Sequence, residues 1–111
     1  MFARISGPVV VYEVSPRDGL QNESKVLPVA DKKELVAALV ASGLRQIEVT
    51  SFVSPRWVPQ LADAAELVRA LPDAPNVTYS ALCPNATGLE RARAVGLKEV
   101  AIFLSASETH N

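Results

Sequence analysis

A parallel α/β fold of repeated strand and helix units is the architecture this sequence predicts. Apolar runs of strand length alternate with stretches of helical period in the order β-α-β-α-β-α-β, which implies parallel pairing with right-handed crossovers. The chain also echoes itself: Ala41-Ser42-Gly43-Leu44-Arg45-Gln46-Ile47 resembles Ala94-Val95-Gly96-Leu97-Lys98-Glu99-Val100, the same helix end, glycine cap and strand start used twice. Repeated units of this kind build a barrel or a doubly wound sheet. No glycine-rich phosphate motif follows any strand, and Pro16-Arg17-Asp18-Gly19 is neither a dinucleotide fingerprint nor a P-loop, which favours the barrel. A (β/α)8 TIM barrel takes about 250 residues. The 111 residues here hold four strands with three intervening helices and stop in the loop after the fourth, so the expectation is one partial domain, 1–111, the amino-terminal half of such a barrel.

The first strand is Val9, Val10, Val11, Tyr12 and Val14, a β-branched and aromatic run bounded by Pro8 and Pro16 that reads as buried. Directly after it, Glu13-Val14-Ser15-Pro16-Arg17-Asp18-Gly19-Leu20-Gln21-Asn22-Glu23 sets four ionised side chains and two amides in one loop. Ligands gather at the carboxyl ends of strands in parallel folds, so Arg17 and Asp18 can face a substrate there. A salt-bridged surface turn is the competing reading, since Asp-Gly is a common turn dipeptide. Leu27-Pro28-Val29-Ala30-Asp31 opens an amphipathic helix with Leu35, Val36, Leu39 and Val40 on its apolar stripe and Lys32, Lys33 and Glu34 in its first turn, ended by Gly43 as a left-handed cap. The second strand runs from Leu44 to Val49 and ends at Thr50-Ser51-Phe52, with Glu48 expected at its carboxyl end.

Val53-Ser54-Pro55-Arg56-Trp57-Val58-Pro59-Gln60 should be an ordered loop leading into a helix that begins near Pro59, with Leu61, Ala64, Ala65, Val68 and Leu71 turned inward. Pro72-Asp73-Ala74-Pro75 ends it, and Asn76 to Cys83 is the third strand. Asn85 is the expected N-cap of a third helix that carries Leu89, Ala92, Ala94 and Val95 and is closed by Gly96. Glu99 to Leu104 is the fourth strand, and Ser105-Ala106-Ser107-Glu108 begins another strand-to-helix loop.

Composition narrows the function. Hydrophobic residues make up 49% and charged residues 21%, which suits one soluble core. A net charge of -1 with no run of like charge gives nothing to draw the chain to nucleic acid or an anionic membrane. No apolar run approaches the roughly 20 residues of a membrane span, and the start from Met1 to Pro8 has no secretory apolar core. A single cysteine, Cys83, excludes an internal disulfide and cannot alone build a thiolate metal site, so a reducing cytoplasm is the expected compartment.

Two segments carry a specific resemblance: Ser15-Pro16-Arg17-Asp18-Gly19-Leu20-Gln21-Asn22-Glu23, and Ile47-Glu48-Val49-Thr50-Ser51-Phe52-Val53-Ser54-Pro55-Arg56-Trp57-Val58-Pro59-Gln60. Both resemble the opening of the hydroxymethylglutaryl-CoA lyase family, and the likeness continues through Pro84-Asn85, Lys98-Glu99-Val100 and Ser105-Ala106-Ser107-Glu108. Related carboligating barrels such as isopropylmalate synthase share the Arg-Asp-Gly loop but not the second segment. The resemblance implies a TIM-barrel carbon-carbon lyase of leucine degradation and ketone body formation. Such an enzyme cleaves 3-hydroxy-3-methylglutaryl-CoA to acetyl-CoA and acetoacetate by a retro-Claisen reaction, with a divalent cation (Mg2+ or Mn2+), an acyl-CoA substrate and a homodimer as the full-length enzyme.

By the same resemblance Arg17 is the catalytic arginine that stabilises the enolate oxygen, and Asp18 is a metal ligand whose hard carboxylate suits a hard cation. Gln21 and Glu48 belong to the supporting polar shell, Glu48 accepting from Arg17 or from metal-bound water, while a strand-end glutamate is equally an ordinary ion-pair partner. Ser51 can reach substrate from the second strand. The family's remaining metal ligands, two histidines and an asparagine, and its catalytic cysteine would lie beyond Asn111. His110 and Cys83 are not among them, and Cys83 reads as a small apolar filler. Trp57 is expected to anchor its loop to the barrel, with stacking on coenzyme A as the alternative. One departure is Ser24 directly after Glu23, with Lys25 a place later, so no basic contact to coenzyme A is assigned there. A different class of reading is a non-catalytic fragment or assembly module that keeps the loop sequence, and a third is a related metal-dependent aldolase or acyl-CoA synthase.

Overall fold

The computed structural model describes residues 7–104. Four strands, β1 (Tyr12–Glu13), β2 (Gln46–Ser51), β3 (Thr78–Leu82) and β4 (Glu99–Ala101), lie side by side in chain order, and every neighbouring pair is parallel. The crossovers are α1 (Val29–Ala41), α2 (Ala64–Ala70) and α3 (Ala86–Ala94). The expected loop Ser105–Glu108, and His110, lie outside the described residues.

The helices cover one face of the sheet. Val36 of α1 meets Ile47 and Val49 of β2 in a wholly buried cluster, and Phe52, Ala64, Ala81, Cys83 and Ala92 form a second under α2 and α3. Each fully buried valine or isoleucine in such a cluster contributes about 1.5–3 kcal/mol. Cys83 is the filler the sequence suggested, and burial pushes its thiol pKa up. Gly43 and Gly96 sit at φ 98° and 78° just past α1 and α3, the left-handed caps the repeated motif implied. Asn85 caps α3 as expected, its Oδ1 accepting from the Gly88 amide at 2.8 Å.

β2 is irregular in a way that decides the site. Glu48 pairs with Ser80, but Thr50 pairs with Ala81, so Val49 is an extra residue in the ladder. Regular alternation would send Glu48 and Ser51 to opposite faces. With the bulge both fall on the face away from the helices, Glu48 beside Ser80 and Ser51 beside Leu82.

Several expectations are corrected. The first strand is not buried: Val9, Val10 and Val11 are 68%, 72% and 58% exposed, because they precede the short ladder of β1, which among the described residues has β2 alone beside it. The other edge behaves alike, pairing stopping at Ala101 and leaving Ile102, Phe103 and Leu104 exposed. Glu48 stands in the middle of β2, not at its end. The helix near Pro59 is split into a 3-10 turn, Pro59–Leu61, and α2 from Ala64, and Leu67 joins the buried stripe. Leu89 and Ala94 of α3 face solvent, since the cap at Asn85 and the contact at Gly88 turn Ala92 toward the sheet. Trp57 does not anchor its loop: it is 82% exposed.

Candidate active site

At the carboxyl end of β1 the chain winds into a single π-helical turn, Ser15–Gly19. The Val14 carbonyl accepts from the amides of Arg17 and Asp18 at 3.0 and 2.7 Å, the Glu13 carboxylate accepts from the Ser15 amide at 3.0 Å, and Pro16 is buried beneath. The turn sends the Arg17 side chain back to β2, where its Nε donates to Glu48 Oε1 at 2.5 Å. Its Nη1 donates to Asp18 Oδ1 at 3.3 Å. Arg17 keeps 19% of its side chain exposed and Glu48 only 4%, so the carboxylate fixes the guanidinium from below while the outer edge stays accessible. A guanidinium carries five N–H donors in a rigid plane, so two internal bonds leave donors for a ligand.

Glu48 is held in turn. The Tyr12 hydroxyl lies 3.5 Å from Glu48 Oε2 and is hydrogen-bonded to the Ser80 hydroxyl. Burial pushes the Tyr12 phenol pKa up, and the carboxylates of Glu48 and Glu99 add to that against the Ser80 bond, which keeps Tyr12 a neutral donor. Arg17, Gln21 and Ser51 share a pocket of 390 Å³ whose walls are Val53, Val58, Leu82, Pro84 and Phe103. Ser51 Oγ donates to the Leu82 carbonyl at 3.1 Å. A larger hollow of 560 Å³ opens at the opposite end of the sheet, around Asp73, Thr78 and Lys98 where β3 and β4 begin, away from all of these groups.

Of the residues singled out from sequence, Arg17, Glu48, Gln21 and Ser51 come together, and Asp18 stands beside Arg17 with 56% of its side chain exposed. Tyr12 and Ser80 went unnoticed. The available signal was an aromatic hydroxyl inside a valine run, since a tyrosine on an inner face needs a partner for its O–H.

Residues 9–111 match the family described as HMGL-like. The chain belongs to the HMGL-like family. Among curated relatives, the 3-hydroxy-3-isohexenylglutaryl-CoA/hydroxy-methylglutaryl-CoA lyase of Pseudomonas aeruginosa is 56% identical over 100 residues, 90% of this chain and 33% of the relative. A crystal structure of hydroxymethylglutaryl-CoA lyase from the same species superposes with a TM-score of 0.87 at 55% identity, covering 91% of this chain and 34% of that one. An Acinetobacter baumannii HMG-CoA lyase in complex with coenzyme A and 3-methylmalate superposes with a TM-score of 0.88 at 42% identity, covering 92% and 33%. The chain thus spans about a third of the length of the HMGL-like relatives it matches. Its four parallel strands and three helices match about a third of the lyase barrel, the architecture favoured in the sequence over a doubly wound sheet.

Proposed function

We propose that this chain is the amino-terminal part of a lyase that cleaves 3-hydroxy-3-methylglutaryl-CoA to acetyl-CoA and acetoacetate. The observation that carries the proposal is the guanidinium of Arg17 held by the buried carboxylate of Glu48 at the rim of a pocket. In a retro-Claisen cleavage the 3-hydroxyl loses its proton while the adjacent carbon-carbon bond breaks. The bond electrons pass into the thioester as an enolate with the charge on its oxygen, and the enolate carbon then takes up a proton to give acetyl-CoA, balancing the one lost from the hydroxyl. Arg17 offers that oxygen a planar cationic donor, and Glu48 with Tyr12 fixes the donor before charge develops. Gln21 and Ser51 supply polar contacts to the substrate, and the relative solved with coenzyme A supports an acyl-CoA ligand.

A divalent cation, Mg2+ or Mn2+, belongs to the same proposal. Asp18 fits it as one ligand: it is a hard, exposed carboxylate beside the pocket. Among the described residues no three acids, histidines or cysteines gather to complete a set. When bound, such a cation supplies Lewis acidity that polarises the substrate's hydroxyl and carbonyl. The proposal extends to a homodimeric, cytoplasmic enzyme, and no described helix is long and apolar enough to cross a membrane.

A longer acyl chain is a second reading of the substrate. The P. aeruginosa relative is named for an isohexenyl as well as a methyl substrate, and the pocket here has apolar walls at Val53, Val58, Leu82 and Phe103. Comparing kcat/KM for the two thioesters separates these readings.

In the complete enzyme, Arg17→Gln should lower kcat about 100- to 1000-fold, or about 3–4 kcal/mol, with little change in KM, because the bond strengthens as the enolate forms. Excess cation should restore part of the activity of Asp18→Asn and none of that of Arg17→Gln. An Arg17→Gln enzyme with normal kcat and raised KM would make the arginine a binding residue and overturn its assigned role.

A further inference from the structure

Lys32 is among the largest fully buried side chains of the described residues, with 1% exposure, and nothing in the proposed chemistry uses it. Its Nζ donates to the Gln60 carbonyl at 2.5 Å and to Asp63 Oδ1 at 2.6 Å. The Gln60 side chain continues the chain of bonds, its Nε2 donating to the Glu23 carbonyl at 2.6 Å. Three segments meet there: α1, the 3-10 turn before α2, and the end of the loop that carries Arg17. Arg17 and Gln21 reach the pocket from the first loop, Val53 and Val58 from the second.

We propose that Lys32 and Gln60 form a latch that fixes the Arg17 loop against the loop between β2 and α2, making both of them positioning residues for the pocket. A buried ammonium is tolerable only while its partners stay in place, since separating them leaves an uncompensated charge. Lys32 therefore holds the turn before α2 in place, and the Arg17 loop is held through that turn by the Gln60 side chain. Asp63 fits this role: it occupies the N-cap position of α2, yet its side chain caps no helix amide and turns to Lys32. Gln60 is the narrower link, because its side chain alone ties the turn to Glu23 while its backbone carbonyl serves Lys32.

The activity arm of the test rests on the lyase reading; the exchange arm does not. In the full-length protein, Gln60→Leu should leave the thermal midpoint nearly unchanged while amide hydrogen exchange over residues 15–23 speeds up by about tenfold or more. With 3-hydroxy-3-methylglutaryl-CoA, kcat should fall by about 10- to 100-fold, the scale of a misplaced catalytic group, with a smaller change in KM. Lys32→Met should speed exchange in residues 15–23 and 53–63 together. Unchanged exchange over 15–23 in Gln60→Leu would overturn the latch, and so would faster exchange spread evenly along the chain. If Lys32→Met does not fold, Gln60→Leu still decides. A wild-type protein that fails to cleave the thioester removes the lyase reading, and the exchange arm still judges the latch.

Discussion

Arg17 and Glu48 are 31 positions apart and meet where the loop after β1 folds back over β2, and one residue out of register, Val49, decides that Ser51 joins them. The bulge turns Glu48 and Ser51 to the same face, and Thr50 is left opposite Ala81 on the helix side. There its hydroxyl is buried and has no hydrogen-bond partner among the described residues. A polar group in that position costs the desolvation that folding imposes and gains nothing back, about 1–3 kcal/mol. Thr50→Val keeps the shape and removes the hydroxyl. It should therefore stabilise the protein by about 1 kcal/mol, read as a higher urea midpoint at unchanged slope. A lower midpoint would mean that the hydroxyl is satisfied and holds the bulge.

Among the elements, α3 makes one very close approach, to the end of β2. A Cβ at Gly88 would stand 2.5 Å from the Phe52 carbonyl oxygen and 3.4 Å from the Phe52 Cβ, so only glycine allows this helix so close to the end of β2. Arg91, one turn on, places its guanidinium 5.3 Å from the centre of the Phe52 ring and donates to the Val53 carbonyl at 3.2 Å. Together they fix the start of the loop whose Val53 and Val58 wall the pocket. Gly88→Ala should cost about 1–3 kcal/mol as α3 is pushed outward. The loss should appear in the chemical denaturation midpoint, whereas Ala at exposed Thr87 should change it little. Equal midpoints for the two variants would show that the close approach is not needed.

At the scale of the whole molecule, the sheet has two edges with no partner strand among the described residues. Val9 to Val11 flank β1, and Ile102 to Leu104 flank β4, all exposed apolar residues next to unpaired strand backbone. Such edges pair with whatever strand they meet. Residues 1–111 purified alone should elute above monomer mass and associate further with concentration, and Val10→Lys should reduce this by charging one edge. A sharp monomeric peak with cooperative unfolding would contradict it. The isolated segment should also form no acetoacetate above background, since among the described residues no three acids, histidines or cysteines gather at Asp18, and a lone carboxylate cannot hold a cation against water.

The sequence by itself determined the parts governed by local physics. Strand and helix order followed from apolar period, the ends of α1 and α3 from Gly43 and Gly96 at positive φ, and the start of α3 from Asn85. The Arg17 loop and Ser51 were legible through their segments. Tertiary structure decided the rest, because it turned on partners distant in the chain. No local rule places the extra residue at Val49, turns Lys32 from an apparent surface position into the interior to meet Asp63, or brings Tyr12 and Ser80 to Glu48. Exposure diverged for the same reason: a β-branched run specifies a strand, but whether it is buried depends on a neighbouring strand, and among the described residues the ladder to β2 begins only at Tyr12, past Val9 to Val11.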